Sequence, residues 1–216
     1  MTNKFINNLV IFLLALAFLI FLILFFTQLH GLDFYSVKKI VSQTNDNSLI
    51  SNINTDRQIA NLLDYLNGQN KLNNDFYTSK EQSHLVDVLN LIIYLKFADF
   101  FILILLLTVF GLIFYLKGKN YFWKLILKTA FYSLMIEAII LLILFLNFNG
   151  LFTWFHLISF NNDFWLLDPA RDRLIIIFPP AFFYVMTAKI FISTIFFTII
   201  LALSSWLILK ISQKSD

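Results

Sequence analysis

The stretch LVIFLLALAFLIFLILFF, Leu9 to Phe26, carries no charge, no amide and no hydroxyl. A helix crosses a bilayer with roughly 20 apolar residues at about 1.5 Å rise each. This run is therefore read as a membrane span. Lys4 ahead of it resembles the basic start of a signal peptide. However, the run is long for one, and Thr27, Gln28, Leu29 and His30 follow it in place of a small-residue cleavage site.

Three further runs repeat the pattern. Spans are expected at about 9–29, 91–116, 125–146 and 182–209, the last long enough to tilt. The composition agrees: 59% of the 216 residues are hydrophobic, 27 are Phe, and only 13% are charged, against about 25% in soluble domains. So much apolar surface needs lipid as a second solvent. A net charge of +3 gives no reason to expect nucleic acid as a partner. The absence of Cys excludes disulfides, thiolate nucleophiles and Cys-ligated metals.

Basic residues set the orientation. Lys117, Lys119, Lys124 and Lys128 cluster between the second and third spans with no acid among them, and Lys4, Lys210 and Lys214 flank the ends. The acids collect in the other two segments, about 30–90 and 147–181. The expectation is one all-α membrane domain, residues 1–216, with four spans, both termini cytoplasmic and a small extracytoplasmic cap.

Within the cap, Phe34 to Val41 and Ser48 to Ile53 have weak strand character and could pair as a hairpin. Thr55 to Gln58 and Ser79 to Gln82 read as capping boxes. Ile59, Leu62, Leu63 and Leu66 recur at helical spacing, and Gly68 is a plausible stop. Asp168-Pro169 reads as an N-cap followed by proline at the first helical position. Leu174 to Phe178 is too short to span and could dip into the membrane.

Few groups can do acid–base chemistry. His84 opens the helix leading into the second span, with Glu81 and Asp87 three residues away on either side. An imidazole between carboxylates and a helix N-terminus can titrate near neutral pH and exchange protons. It can equally be a solvated interfacial histidine. His156 lies at the same membrane face, among aromatic residues, Asn162, Trp165, Asp168, Asp172 and Arg173. His30 reads as interfacial. Inside the spans lie Lys96, Asp99, Glu137 and Lys189; at depth an Asp, Lys or Arg costs about 2.5–3.5 kcal/mol on insertion scales. Lys96 and Lys189 lie toward the outer ends and can snorkel, while Glu137 is deep and serves as polar glue between helices or as part of a site. No phosphate loop, serine elbow or zinc-protease motif is present.

The segments Glu81-Gln-Ser-His84-Leu-Val-Asp87-Val, Phe155-His156 and Asn162-Asp-Phe-Trp165-Leu-Leu-Asp168-Pro-Ala-Arg-Asp172-Arg-Leu-Ile-Ile-Ile-Phe178-Pro179 resemble the bacterial lipoprotein intramolecular transacylases. The resemblance covers nearly the whole chain. It departs at Pro180, where many relatives have an acid, and at Leu89, where a basic residue is expected.

The resemblance implies that the sn-2 acyl chain of a diacylglyceryl-modified lipoprotein moves to the α-amine of its own N-terminal cysteine, giving the lyso-form. It implies His84 and His156 as catalytic. Glu81, Asp87, Asn162, Trp165, Asp168, Asp172 and Arg173 would support them or position substrate. No cofactor or metal is expected. The expected partners are the diacylated lipoprotein and membrane lipids, with no obligate protein partner. The expected location is the bacterial cytoplasmic membrane, with the site on its outer side. The alternatives are a non-enzymatic scaffold or lipid-binding subunit and a metal-dependent hydrolase.

Overall fold

The computed structural model describes residues 2–45 and 53–215. Among the described residues six helices follow in order: α1 (Thr2–Gly31), α2 (Phe34–Thr44), α3 (Thr55–Leu66), α4 (Ser79–Ser159), α5 (Arg173–Ile177) and α6 (Pro180–Ser215). Among the described residues there is no strand. The stretches Asn7–Gly31, Ser79–Ser159 and Pro180–Lys214 are long and apolar enough to cross a membrane.

Helix α4 cannot be one straight rod: its 81 residues would reach about 120 Å. Gly118 sits inside it at φ +77°, a left-handed conformation that glycine adopts freely. The rings of Phe110 and Phe114 lie 6.2 and 5.3 Å from that of Phe122, so the chain turns back at Gly118.

The chain divides into two compact units. The first comprises residues 1–26, 97–143 and 191–216. Ile11, Leu14, Phe18 and Leu22 of α1 form its core with Leu106 and Leu125 of α4. Polar groups are buried here too. Ser133 donates to the Ala15 carbonyl at 3.1 Å, and the Thr194 hydroxyl donates to the Glu137 carboxyl. Meanwhile Phe101, Leu107, Ile139 and Phe196 are largely exposed. Buried small and polar side chains beside the apolar core, with large apolar side chains also facing outward, fit helices packed in lipid. Glu137, wholly buried, serves as helix-to-helix glue.

The second unit comprises residues 27–96 and 144–190. Here the expected hairpin is overturned. Phe34–Val41 lies in α2, whose N-cap is Asp33, accepting from the Ser36 N–H at 2.8 Å. Val37, Ile40 and Val41 recur at i, i+3 and i+4, and burying that stripe outweighs the strand preference of β-branched residues. Ser48 to Asn52 lie outside the described residues.

Helix α2 packs on α3, which buries Ile59, Leu62, Leu63 and Leu66. Each fully buried aliphatic side chain contributes about 1.5–3 kcal/mol. The α3 cap is Asn54, accepting from the Arg57 N–H at 3.2 Å, not Thr55. Gly68 ends the turn at φ +73°. Helix α4 opens with Thr78 and Glu81 as its capping box, one residue ahead of the expected Ser79–Gln82. Asp168 does not cap a helix. It closes a local turn by accepting from the Ala170 N–H at 2.9 Å, and Asp172 precedes α5. Pro180 is the first residue of α6.

Candidate active site

The two ends of α4 lie in the second unit and carry His84 in an early turn and His156 in the last. Because the helix doubles back, these imidazoles, 72 positions apart in sequence, meet with ring centroids 6.2 Å apart and planes at 34°. Only 7% of His84 and 8% of His156 is exposed. The Phe160 ring touches both, at 5.2 Å from His84 and 5.7 Å from His156. Trp165 lies along His156 at 4.9 Å and 32°.

His156 Nδ1 is 2.7 Å from the Phe152 carbonyl oxygen. A carbonyl only accepts, so Nδ1 carries the proton and, in the neutral ring, Nε2 is the basic nitrogen. His84 Nδ1 is buried and makes no hydrogen bond. Both rings precede or follow the apolar runs of their limbs. Burial, and then the neighbouring His156, push the His84 pKa down to about 4, against the pull of Asp87. Burial also lowers that of His156, opposed by its bond to Phe152. Burial thus holds both imidazoles neutral at neutral pH.

The surrounding polar residues build the frame. Asp87 accepts from Asn162 Nδ2 at 2.9 Å, and Asn162 Oδ1 accepts from the Phe164 N–H at 3.0 Å. This pair ties the Trp165 segment to α4, as does Lys80, which donates to the Leu166 carbonyl. Glu81 does not serve His84: its two oxygens accept from the backbone N–H groups of Thr78 at 2.7 Å and Leu174 at 2.5 Å. Asp172 is likewise committed, accepting from the Thr78 hydroxyl at 3.1 Å and the Asp168 N–H at 2.7 Å. Arg173 lies over the Phe76 ring at 4.8 Å and donates to the Phe76 carbonyl at 2.7 Å.

Sequence reasoning missed Phe152, Phe160, Thr78 and Tyr77. The first two stand four residues before and after His156, a helical spacing that could have drawn attention to them. Tyr77 is buried with no partner for its hydroxyl, and burial beside Glu81 holds its phenol well above the ordinary range. Among the described residues no group of three or more His, Asp or Glu converges as metal ligands would.

The sequence matches, over residues 5–183, the family described as lipoprotein intramolecular transacylase Lit. None of the curated proteins matches. The fold is similar to the in meso structure of the membrane integral lipoprotein intramolecular transacylase Lit from Bacillus cereus. Identity is 17% over 99% of this chain and 100% of that one, with a TM-score of 0.70. Two variants of that protein, each with one histidine replaced, are also similar. The alanine variant has 17% identity and a TM-score of 0.70, covering 99% and 98% of the two chains. The arginine variant has 19% identity and a TM-score of 0.67, covering 100% and 99%. A buried histidine pair at the ends of a doubled-back apolar helix thus accompanies a family match over most of the chain: this membrane enzyme belongs to the lipoprotein intramolecular transacylase family.

Proposed function

We propose that the enzyme moves the sn-2 acyl chain of a diacylglyceryl-modified lipoprotein onto the α-amine of the same N-terminal cysteine. The meeting of the buried His84 and His156 rings is the observation that carries this reading. The substrate brings its own nucleophile, so the protein needs neither Ser nor Cys. Its task is to hold amine and ester together and to move protons.

In this reading His84 takes a proton from the ammonium, with Asp87 offsetting the imidazolium charge, and later releases it to water. The freed amine attacks the ester carbonyl. His156 Nε2 accepts the second proton from nitrogen and hands it to the glycerol oxygen as the C–O bond breaks. One C–N bond forms, one C–O bond breaks, and the product is an amide and an alcohol. Trp165 and Phe160 exclude water and hold the rings. Asn162 positions the Trp165 segment, and Glu81, Asp168, Asp172 and Arg173 fix the cap around the pocket.

The accompanying topology has four crossings, the doubled α4 supplying two of them. The lysines at the Gly118 turn are cytoplasmic, and the histidine pair faces outward from the bacterial cytoplasmic membrane. The enzyme acts alone on lipoprotein held in the lipid. The test is incubation of purified enzyme with a diacylated lipopeptide. Fragmentation mass spectrometry should find one acyl group on nitrogen at unchanged total mass. Replacing either histidine with Ala is expected to slow this about 10²–10⁴-fold. Near-normal conversion by both variants would sink the assignment.

A further inference from the structure

A groove of about 370 Å³ lies in the second unit, lined by Phe145, Leu146, Asn147, Phe148, Asn149, Pro180, Ala181 and Tyr184. We propose that this groove receives the far end of the acyl chain that the enzyme transfers; the proposal rests on the acyl-transfer reading above.

Three observations converge on that occupant. The first is continuity. From the groove to the histidine pair runs an unbroken series of ring contacts. Phe148 lies 6.0 Å from Phe152, and Phe152 lies 4.3 Å from His156. The facing rings of α6 keep pace, with Tyr184 5.2 Å from Phe148 and Phe183 5.2 Å from Phe152. Phe148, Phe152 and His156 stand at i, i+4 and i+8 on one face of α4. A chain whose ester carbonyl sits at His156 can follow these rings as far as Phe148, where the groove, lined also by Asn147 and Asn149, begins.

The second is length. The α4 residues of the groove lie seven to eleven positions before His156, about 10–17 Å along a helix. A bilayer's hydrocarbon core is about 30 Å thick, so one leaflet, and the acyl chain filling it, measures roughly 15 Å. The groove begins about where such a chain ends.

The third is how Asn147 is kept from reaching across. Its Oδ1 accepts from the Gly150 N–H at 3.0 Å, so the amide is folded back on its own helix. That fold needs glycine: a Cβ at residue 150 would meet the Asn147 amide nitrogen at 2.3 Å. On the outer rim, Phe145 and Leu146 are mostly exposed, which lets a chain enter sideways from lipid.

The assignment makes the groove a reader of chain length. The experiment compares diacylated lipopeptides carrying short or long acyl chains, turned over by wild type and by Ala181→Trp. The indole should occupy the groove. The expected result is that the long-to-short ratio of kcat/KM falls at least tenfold in Ala181→Trp, an effect of the size that apolar pockets show when a chain no longer fits.

A second measurement does not depend on the variant folding. A lipopeptide with a photoreactive diazirine at the acyl terminus is crosslinked to the wild-type enzyme. Labelling within 145–149 or 180–184 is expected from the terminal probe, and labelling nearer His156 from a probe beside the carbonyl. An unchanged length ratio in a folded Ala181→Trp enzyme, or terminal labelling elsewhere, overturns the groove assignment. Loss of transfer by wild type on every substrate would instead overturn the reaction itself.

Discussion

Burial holds His84 and His156 neutral, and the neighbouring His156 lowers the His84 pKa further. This has a measurable pH signature. The His84 pKa falls from 6.5 in the unfolded chain to about 4 in the folded one. Between these values the unfolded chain binds a proton that the folded chain refuses, so stability declines as pH drops through that window. Thermal unfolding between pH 7 and pH 4 is expected to show a smaller decline in His84→Gln than in wild type. Equal slopes would mean that His84 is not buried neutral. The acid limb of kcat/KM should likewise have its midpoint well below 6.5, because it follows the lowered pKa values of the folded enzyme. The pair itself was only partly legible beforehand: sequence placed both histidines at one membrane face, but their meeting depends on how a doubled helix brings its ends together. The i, i+3 spacing permits Glu81 to partner His84, yet backbone N–H groups from two elements compete for the same oxygens and take both.

At the scale of elements, the caps decide where the site's parts begin. Glu81→Ala strands the N–H groups of Thr78 and Leu174, at about 1–3 kcal/mol each. A marked drop in melting temperature is expected, with Glu81→Gln less affected and the pH profile of the remaining activity unmoved. Gly118→Ala forces a side chain into the left-handed region, at roughly 1–2 kcal/mol. No atom lies within 4 Å of the added Cβ, so Gly118→Asn should recover part of the loss; equal destabilisation by both would point to a cause other than backbone strain. The long apolar runs were plain in the sequence, since nothing competes with lipid for them. Helix α2 was not, because Val37, Ile40 and Val41 satisfy strand and helix patterns alike until a packing partner is known. The caps at Asn54 and Thr78 were each read one residue late, because neighbouring Thr55 and Ser79 offer the same chemistry and local geometry alone chooses between them.

For the whole molecule, the chain's lack of cysteine makes its orientation directly measurable. A single Cys at Lys119 is expected to react with membrane-impermeant maleimide only after the cytoplasmic side is opened. A Cys at Asp163 should react in intact cells. The reverse pattern would move the histidine pair to the inner side and remove it from lipoprotein arriving outside. Basic-residue counting carried this orientation as far as sequence can. The layout of the cap, by contrast, rests on side-chain-to-backbone bonds such as Asn45 to the Ile177 carbonyl at 2.7 Å, which leave no periodic trace.

Those same ties have a consequence for how the enzyme comes into being. The bonds joining Thr78 to Asp172, Glu81 to Leu174, Lys80 to Leu166 and Asp87 to Asn162 bridge sequence separations of 94, 93, 86 and 75 residues. Contacts so distant close late, after the entropy of the intervening loop has been lost. During synthesis the first histidine therefore emerges long before its partner and its frame. The pair and its frame can be complete only once residues near 174 have been synthesised.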